Sequence, residues 1–229
     1  FSNNVQIHNL EPINKGDTVV TVSAEDVAII GRVFTEGKLD MQRTIAVGGA
    51  EVKTPNYIKT VAGVNLGDLF SSEAKEGLNR YISGNVLTGT QIEKDGYLGF
   101  YSTELTVISE GNEEEFLGWI LPGFGKFSLS RTFMSWLMPN REYDLNTALH
   151  GEERAFVLTG EYEKVFPFDI FPVQLVKSIM IRDIEKMEQL GIYEVTEEDF
   201  ALCEVTCASK IPLQQIVREG LDFLRAEVG

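Results

Sequence analysis

Glu197-Glu198-Asp199-Phe200-Ala201-Leu202-Cys203-Glu204-Val205-Thr206-Cys207 is the stretch on which the reading of this chain turns. Glu197, Phe200, Cys203 and Cys207 stand at the intervals of a ferredoxin-type cluster run, Cys-x2-Cys-x2-Cys-x3-Cys. Only the last two of these positions are cysteine. A four-iron cluster needs four thiolate-class ligands, and a phenyl ring supplies none. The segment therefore has the outline of an iron–sulfur site without the means to hold an ordinary cluster. That combination points to an electron-transfer assembly, and within it to a part that carries no redox centre of its own.

The flanks of this stretch read as helices. Thr196 with Asp199 predicts a capped short helix that carries Phe200, Cys203 and Cys207 on one face. Downstream, Pro212 opens a last helix whose apolar stripe is Leu213, Ile216, Val217, Leu221 and Leu224. Upstream, Pro172 sits where a first helical residue tolerates proline. Val173, Val176, Met180, Ile184 and Met187 then form one stripe that Gly191 stops. These elements predict a small helical bundle after about residue 165.

The N-terminal half has a different period. Ser23 with Asp26 predicts a capped helix with Val27, Ile30 and Phe34 at helical spacing, ended by Gly37. Short strands are expected at residues 44–47, 57–61 and 81–84, with a short helix capped by Asn65 running through Leu66, Leu69 and Phe70. Further strands are expected at residues 104–108 and 116–121, separated by the acidic turn Glu110-Gly111-Asn112-Glu113. Strands around one helix within about 50 residues suggest a compact sheet of β-grasp type. The fold class expected is thus α+β: a β-grasp module with additional β-structure, followed by a C-terminal helical bundle.

Composition narrows the function. The chain has 229 residues, 43% of them apolar, with 35 acidic against 20 basic residues and a net charge of −15. A single-sign field of that size repels phosphate backbones and anionic lipid, so no nucleic-acid partner and no direct membrane insertion are expected. The most apolar run, residues 173–184, is interrupted by Lys177 and Arg182 and falls short of a bilayer span. Two cysteines do not make a disulfide framework, which favours a reducing, cytoplasmic setting. The chain opens at Phe1 and is expected to be a piece of a longer protein.

Material for catalysis is scarce, and no catalytic residue can be named. His8 and His150 are the histidines, too few for histidine-based metal or acid–base chemistry. Cys203 and Cys207 read first as small buried apolar residues; a metal site formed with His150 or Glu197 is the alternative. His150-Gly151-Glu152 lacks the proline and the Cys-x2-Cys of a zinc deaminase. Gly123-Phe124-Gly125-Lys126 lacks the spacing and the Ser/Thr of a phosphate loop and reads as a turn. Phe166-Pro167-Phe168-Asp169-Ile170-Phe171-Pro172 is the most apolar irregular segment. Packing at the entrance to the bundle explains it; a quinone- or partner-contacting surface formed by Phe166, Phe168 and Phe171 is the sharper alternative.

Ala201-Leu202-Cys203, Cys207, Lys210 and Arg218-Glu219 resemble the C-terminal end of the NqrA subunits of the bacterial sodium-translocating NADH:quinone oxidoreductases. The resemblance extends through Ile29-Ile30-Gly31, Phe34-Thr35-x-Gly37-x-Leu39 and Glu76-Gly77-x-Asn79-Arg80-x-Ile82-Ser83-Gly84. It continues in Gly118-Trp119-Ile120-x-Pro122-Gly123, Lys126-Phe127-Ser128 and Gly151-Glu152-x-Arg154-Ala155, and so covers nearly the whole chain. The family is also similar to the cluster-bearing C subunit of Rnf-type ferredoxin:NAD oxidoreductases and to the flavin subunit of complex I. In the Rnf-type relatives Glu197 and Phe200 would both be cysteine and Ala208 proline, which makes 197, 200, 203 and 207 vestigial cluster positions.

The resemblance implies a domain plan: residues 1–36 as the tail of a Rossmann-like domain, 37–110 as an SLBB-type β-grasp module, 111–165 as a β-rich connection, and 166–229 as a helical domain like a degenerate cluster domain. It also implies a peripheral subunit on the cytoplasmic face of the bacterial inner membrane. That subunit would be without metal or cofactor of its own, docked on the membrane subunit NqrB and linked to quinone binding. FAD, FMN, riboflavin, a 2Fe-2S cluster and the NADH site would lie in the other subunits of the Nqr complex. A self-standing soluble β-grasp module that binds a small ligand is the competing expectation.

Overall fold

The computed structural model describes residues 3–67, 73–111, 117–118, 120–127, 129 and 131–228. Contacts divide the chain into two units, residues 23–148 and residues 1–22 with 149–229.

In the first unit the Ser23 hydroxyl accepts the N–H of Asp26 at 3.1 Å. That cap opens α1 (Ala24–Glu36), and Gly37, at φ 66°, closes it by donating its N–H to the Val33 carbonyl. The expected face of this helix is not the buried one. Val27, Ile30 and Phe34 are exposed, and Ile29 is the residue that is buried. Charge ties α1 to the sheet instead. Arg43 on β1 (Gln42–Gly48) is buried, pairs with the carboxylate of Asp26, lies 3.9 Å from Glu25, and has its guanidinium 5.4 Å from the Phe100 ring centre.

The sheet follows from period-2 alternation. On β1, Arg43, Ile45 and Val47 turn inward and their neighbours outward. β2 (Asn56–Val61) pairs antiparallel with β1, and β5 (Glu104–Ser109) pairs parallel with β1. β3 (Asn79–Ser83) lies antiparallel between β5 and the short β4 (Thr90–Ile92), giving the order β2-β1-β5-β3-β4. First and last strands side by side and parallel at the centre are the β-grasp arrangement expected from the sequence. Ile45, Val47, Val52, Leu66, Tyr81, Leu98, Leu105 and Val107 form its core. The Asn65 side chain accepts the Gly67 N–H at 2.9 Å, as a cap would. Leu69 and Phe70 lie outside the described residues.

The connection beyond β5 departs from expectation. The described residues of 111–165 contain no strand, only 3-10 turns at Met134–Leu137 and Tyr162–Lys164. Pro122, Pro139 and the glycines at 118, 123 and 125 interrupt any alternation there. Of the strand expected at 116–121, Phe116 and Trp119 lie outside the described residues, and Leu117, Gly118, Ile120 and Leu121 are in turns and bends.

Two carboxylates clamp this unit. The Arg80 guanidinium holds Glu110, with Nε at 2.9 Å, and the Thr147 hydroxyl donates to the same carboxylate at 3.2 Å. The Arg80 hydrogen bond holds the Glu110 carboxyl below its usual range, and the Ser23 hydroxyl, then Arg43, does so for Asp26. A depressed folded pKa gives stability that is present above the unfolded value and lost as pH falls through the folded one. The urea midpoint should therefore fall as pH drops below about 4, and Glu110→Gln should flatten that slope. A midpoint independent of pH down to about 3 would contradict the clamp.

In the helical unit the single stripe expected from 173 to 187 is broken. α2 (Pro172–Met180) stops where Arg182 takes φ 55°, and Asp183 caps α3 (Ile184–Gln189) by accepting the Lys186 N–H at 3.1 Å. Leu175 and Ile179, rather than Met180, accompany Val173 and Val176 into the core. Gly191, at φ 85°, ends this pair of helices as expected. α4 (Ala201–Thr206) and α5 (Leu213–Val228) complete the unit, with Leu213, Val217 and Leu224 buried. The segment 3–22 belongs here too. A short N-terminal helix, Asn3–Leu10, lets Asn4 donate to Thr196 and Asp199 at 2.8 and 2.9 Å, and sets His8 2.6 Å from Glu194 and edge-on to Phe168.

Candidate functional site

The four cluster positions are set by the capping box expected at Thr196. The Thr196 N–H donates to Asp199 at 2.8 Å, opening a 3-10 turn, Glu197–Phe200, that runs into α4. The turn sends its members to different places. Phe200 is 0% exposed, with its ring 4.8 Å from Phe166. Cys203 and Cys207 are buried beside it as free thiols. Glu197 instead faces Arg218 on α5, which donates Nε at 3.0 Å and a second, shorter bond from its other nitrogen.

The sulfurs are satisfied within the core. The Tyr162 hydroxyl donates to Cys207 Sγ at 2.8 Å, and the Ile211 N–H points at the same sulfur at 3.4 Å. The Cys203 thiol lies 3.9 Å from the Tyr162 carbonyl oxygen. Burial, reinforced by the Glu163 charge and by Cys207, pushes the Cys203 thiol up to about 12. Iodoacetamide should leave Cys203 unmodified in the native protein and label it after unfolding. Rapid native labelling would overturn the placement.

A cluster does not fit these residues. The Phe200 ring occupies the core where a second ligand would stand, and Glu197 is held by Arg218. The metal site considered with His150 or Glu197 is not assembled either. His150 is exposed, and among the described residues no group of three His, Cys, Asp or Glu side chains is placed to hold a metal. Glu197 instead borders a polar cleft of about 260 Å³ lined by Asn3, Asn4, Thr21, Thr196, Glu198 and Arg218.

The aromatic stretch divides as well. Phe166 and Phe168 are buried and meet edge to face at 5.4 Å, whereas Phe171, just before α2, is 64% exposed. Packing therefore explains two of the three rings, and Phe171 alone of the three is exposed. Nothing local in the sequence marks Tyr162 and Arg218 as contacts of Cys207 and Glu197, because those partners lie 45 and 21 residues away. In the β-grasp unit the cavity lined by Ile45, Val47, Leu66 and Leu105 is about 10 Å³, room for at most one water.

A family model of the NQRA C-terminal domain matches residues 44–94, and one of the NqrA second alpha/beta domain matches residues 2–39. The chain is 40% identical over 222 residues to the A subunit of the Na(+)-translocating NADH-quinone reductase of Pasteurella multocida, covering 96% of this chain and 50% of that protein. The corresponding A subunits of Haemophilus influenzae strain PittEE and Klebsiella pneumoniae are 40% and 39% identical, again over 96% of this chain. The mixed sheet and the matching model define residues 44–94 as part of an SLBB-type β-grasp module. The chain belongs to the NqrA family, the A subunits of the Na(+)-translocating NADH-quinone reductases. It spans about half the length of the curated relatives it matches.

Proposed function

We propose that this chain forms part of a peripheral subunit, without a cofactor of its own, of a sodium-translocating NADH:quinone reductase. It docks on the membrane subunit NqrB at the cytoplasmic face of the bacterial inner membrane and contributes to the quinone site. The observation that carries this reading is the 40% identity over 96% of the chain to subunits that bear that name. Two others support it. The cluster positions are filled by a packed ring and an ion pair, and no helix among the described residues is long and apolar enough to cross a membrane. FAD, FMN, riboflavin and the 2Fe-2S cluster then reside in partner subunits, and this chain supplies docking and binding surface rather than redox chemistry. A self-standing ligand-binding module has less support, because the cavity described in the β-grasp core holds at most one water.

The test is a pull-down from detergent-solubilised membranes with the tagged full-length subunit, scored for flavin-containing partners and NADH:quinone activity. Recovery of both is expected, and a partnerless protein under mild conditions would refute the reading. Within the pulled-down complex, Phe171→Ala should weaken binding of a quinone analogue at unchanged stability. Phe168→Ala should destabilise the fold by about 3–5 kcal/mol, since that ring is core. Unchanged analogue affinity in Phe171→Ala would remove the aromatic stretch from the quinone site.

A further inference from the structure

The loop of residues 117–141 stands apart from the rest of the chain. Within a protein of net charge −15 it contains no Asp or Glu, and its charged residues are Lys126, Arg131 and Arg141. Its described residues form neither strand nor α-helix, and connections of this length without regular structure are commonly functional.

Its own contacts hold it in shape. The Met134 N–H donates to the Pro122 carbonyl at 2.8 Å. Gly123, at φ 60°, approaches the Phe133 ring so closely that a Cβ there would lie 2.4 Å from it. The Lys126 ammonium donates to the Gly118 carbonyl at 2.9 Å and sits 5.3 Å from the centre of that same ring. Arg131 lies over Trp136 at 5.9 Å, and Phe127 meets Tyr143 edge-on at 5.7 Å.

A loop held in this way still turns its large apolar side chains outward. Ile120, Leu129, Trp136, Phe127, Phe124 and Met138 are between 60% and 42% exposed. Aromatic residues, methionine and arginine without carboxylates are the composition of a protein–protein interface centre. A bilayer is a poorer occupant. Irregular backbone is not found exposed to lipid within the hydrocarbon region, whereas it is common in interfaces between proteins.

We propose that the 117–141 loop is the surface through which this chain docks on another protein subunit of its complex, one that presents an apolar face rimmed by carboxylates. The inference rests on the docking reading above and names the surface that performs it. Apolar anchors provide the contact, and the three cations select the acidic rim and speed encounter.

The test uses the tagged full-length subunit in three forms: unchanged, with Ile120→Glu, Leu129→Glu and Trp136→Glu together, and with Lys59→Glu as an exposed control on β2. Each is sedimented with membrane vesicles that carry the remaining subunits, and with protein-free vesicles of phosphatidylethanolamine and phosphatidylglycerol. Thermal unfolding confirms that all three forms are folded. The unchanged protein and Lys59→Glu should bind the subunit-bearing vesicles alike, the triple variant at least about tenfold more weakly, and none of the three the protein-free vesicles. A triple variant that binds like the unchanged protein overturns the assignment of the loop and leaves the docking reading standing. Equal binding of the unchanged protein to protein-free vesicles, lost in the triple variant, makes the loop a lipid contact and overturns the protein partner. Failure of the unchanged protein to bind either vesicle defeats the docking reading itself and the inference with it.

Discussion

Phe200→Ala is expected to destabilise the helical unit by about 3–5 kcal/mol, a large share of the stability of a unit this size. The ring is 0% exposed and packs at 4.8 Å from Phe166, within a core that also holds Cys203, Cys207, Val176 and Leu213. Removing it deletes the transfer free energy of a phenyl group and leaves a cavity that rigid helices cannot close. Phe200→Leu, which keeps most of the volume, should lose far less. Urea unfolding followed by hydrogen exchange of the α2 and α5 amides measures both. An alanine variant as stable as the parent would mean that position 200 is not structural and would reopen the cluster question.

The second large effect is expected in the β-grasp unit. Gly49 follows β1 at φ 115°, and a Cβ built there would stand 2.0 Å from the Val107 carbonyl oxygen and 2.7 Å from its nitrogen. Those are backbone atoms of β5, and they cannot swing aside as a side chain can. Gly49→Ala must therefore push β5 away from β1, along the parallel pair that joins the two halves of the sheet. Backbone strain and overpacking each contribute about 1–3 kcal/mol, so a loss of about 2–6 kcal/mol is expected. Gly31 provides the contrast. It lies within α1 with nothing within 4 Å of its Cβ position, and Gly31→Ala should be neutral or stabilising by up to about 1 kcal/mol. Comparable losses at both positions would mean that the close approach at Gly49 is not the cause.

Much of this architecture is written locally. Ser23 and Gly37 bound α1, the Thr196–Asp199 box opens the turn before α4, and the alternation of Arg43, Ile45 and Val47 orients β1, because each signal acts within a few residues. What was not legible depends on distant partners. Ile29 and Ile30 are adjacent, and apolar spacing alone does not tell which of them is buried, whereas the pair between buried Arg43 and Asp26 ties this part of the helix to β1. The spacing of Val173 to Met187 allows one helix, yet Asp183 caps a new one, which apolar periodicity does not register. Grouping 3–22 with the helical unit rests on Asn4 reaching Asp199, 195 residues away. The candidate site follows the same rule. The spacing of the four cluster positions could be read directly, but the hydroxyl that satisfies Cys207 and the guanidinium that holds Glu197 could not.

We propose that positions 197, 200, 203 and 207, spaced like a cluster run, serve core packing and an ion pair and hold no cluster. The most direct test is iron and acid-labile sulfide analysis, with a visible spectrum, of the full chain made in a host with active cluster assembly and purified without oxygen. A folded, colourless protein with iron and sulfide far below one equivalent is the predicted result. Stoichiometric iron and sulfide, with a thiolate-to-iron absorption band lost in Cys203→Ser, would contradict it and would place a redox centre in this chain.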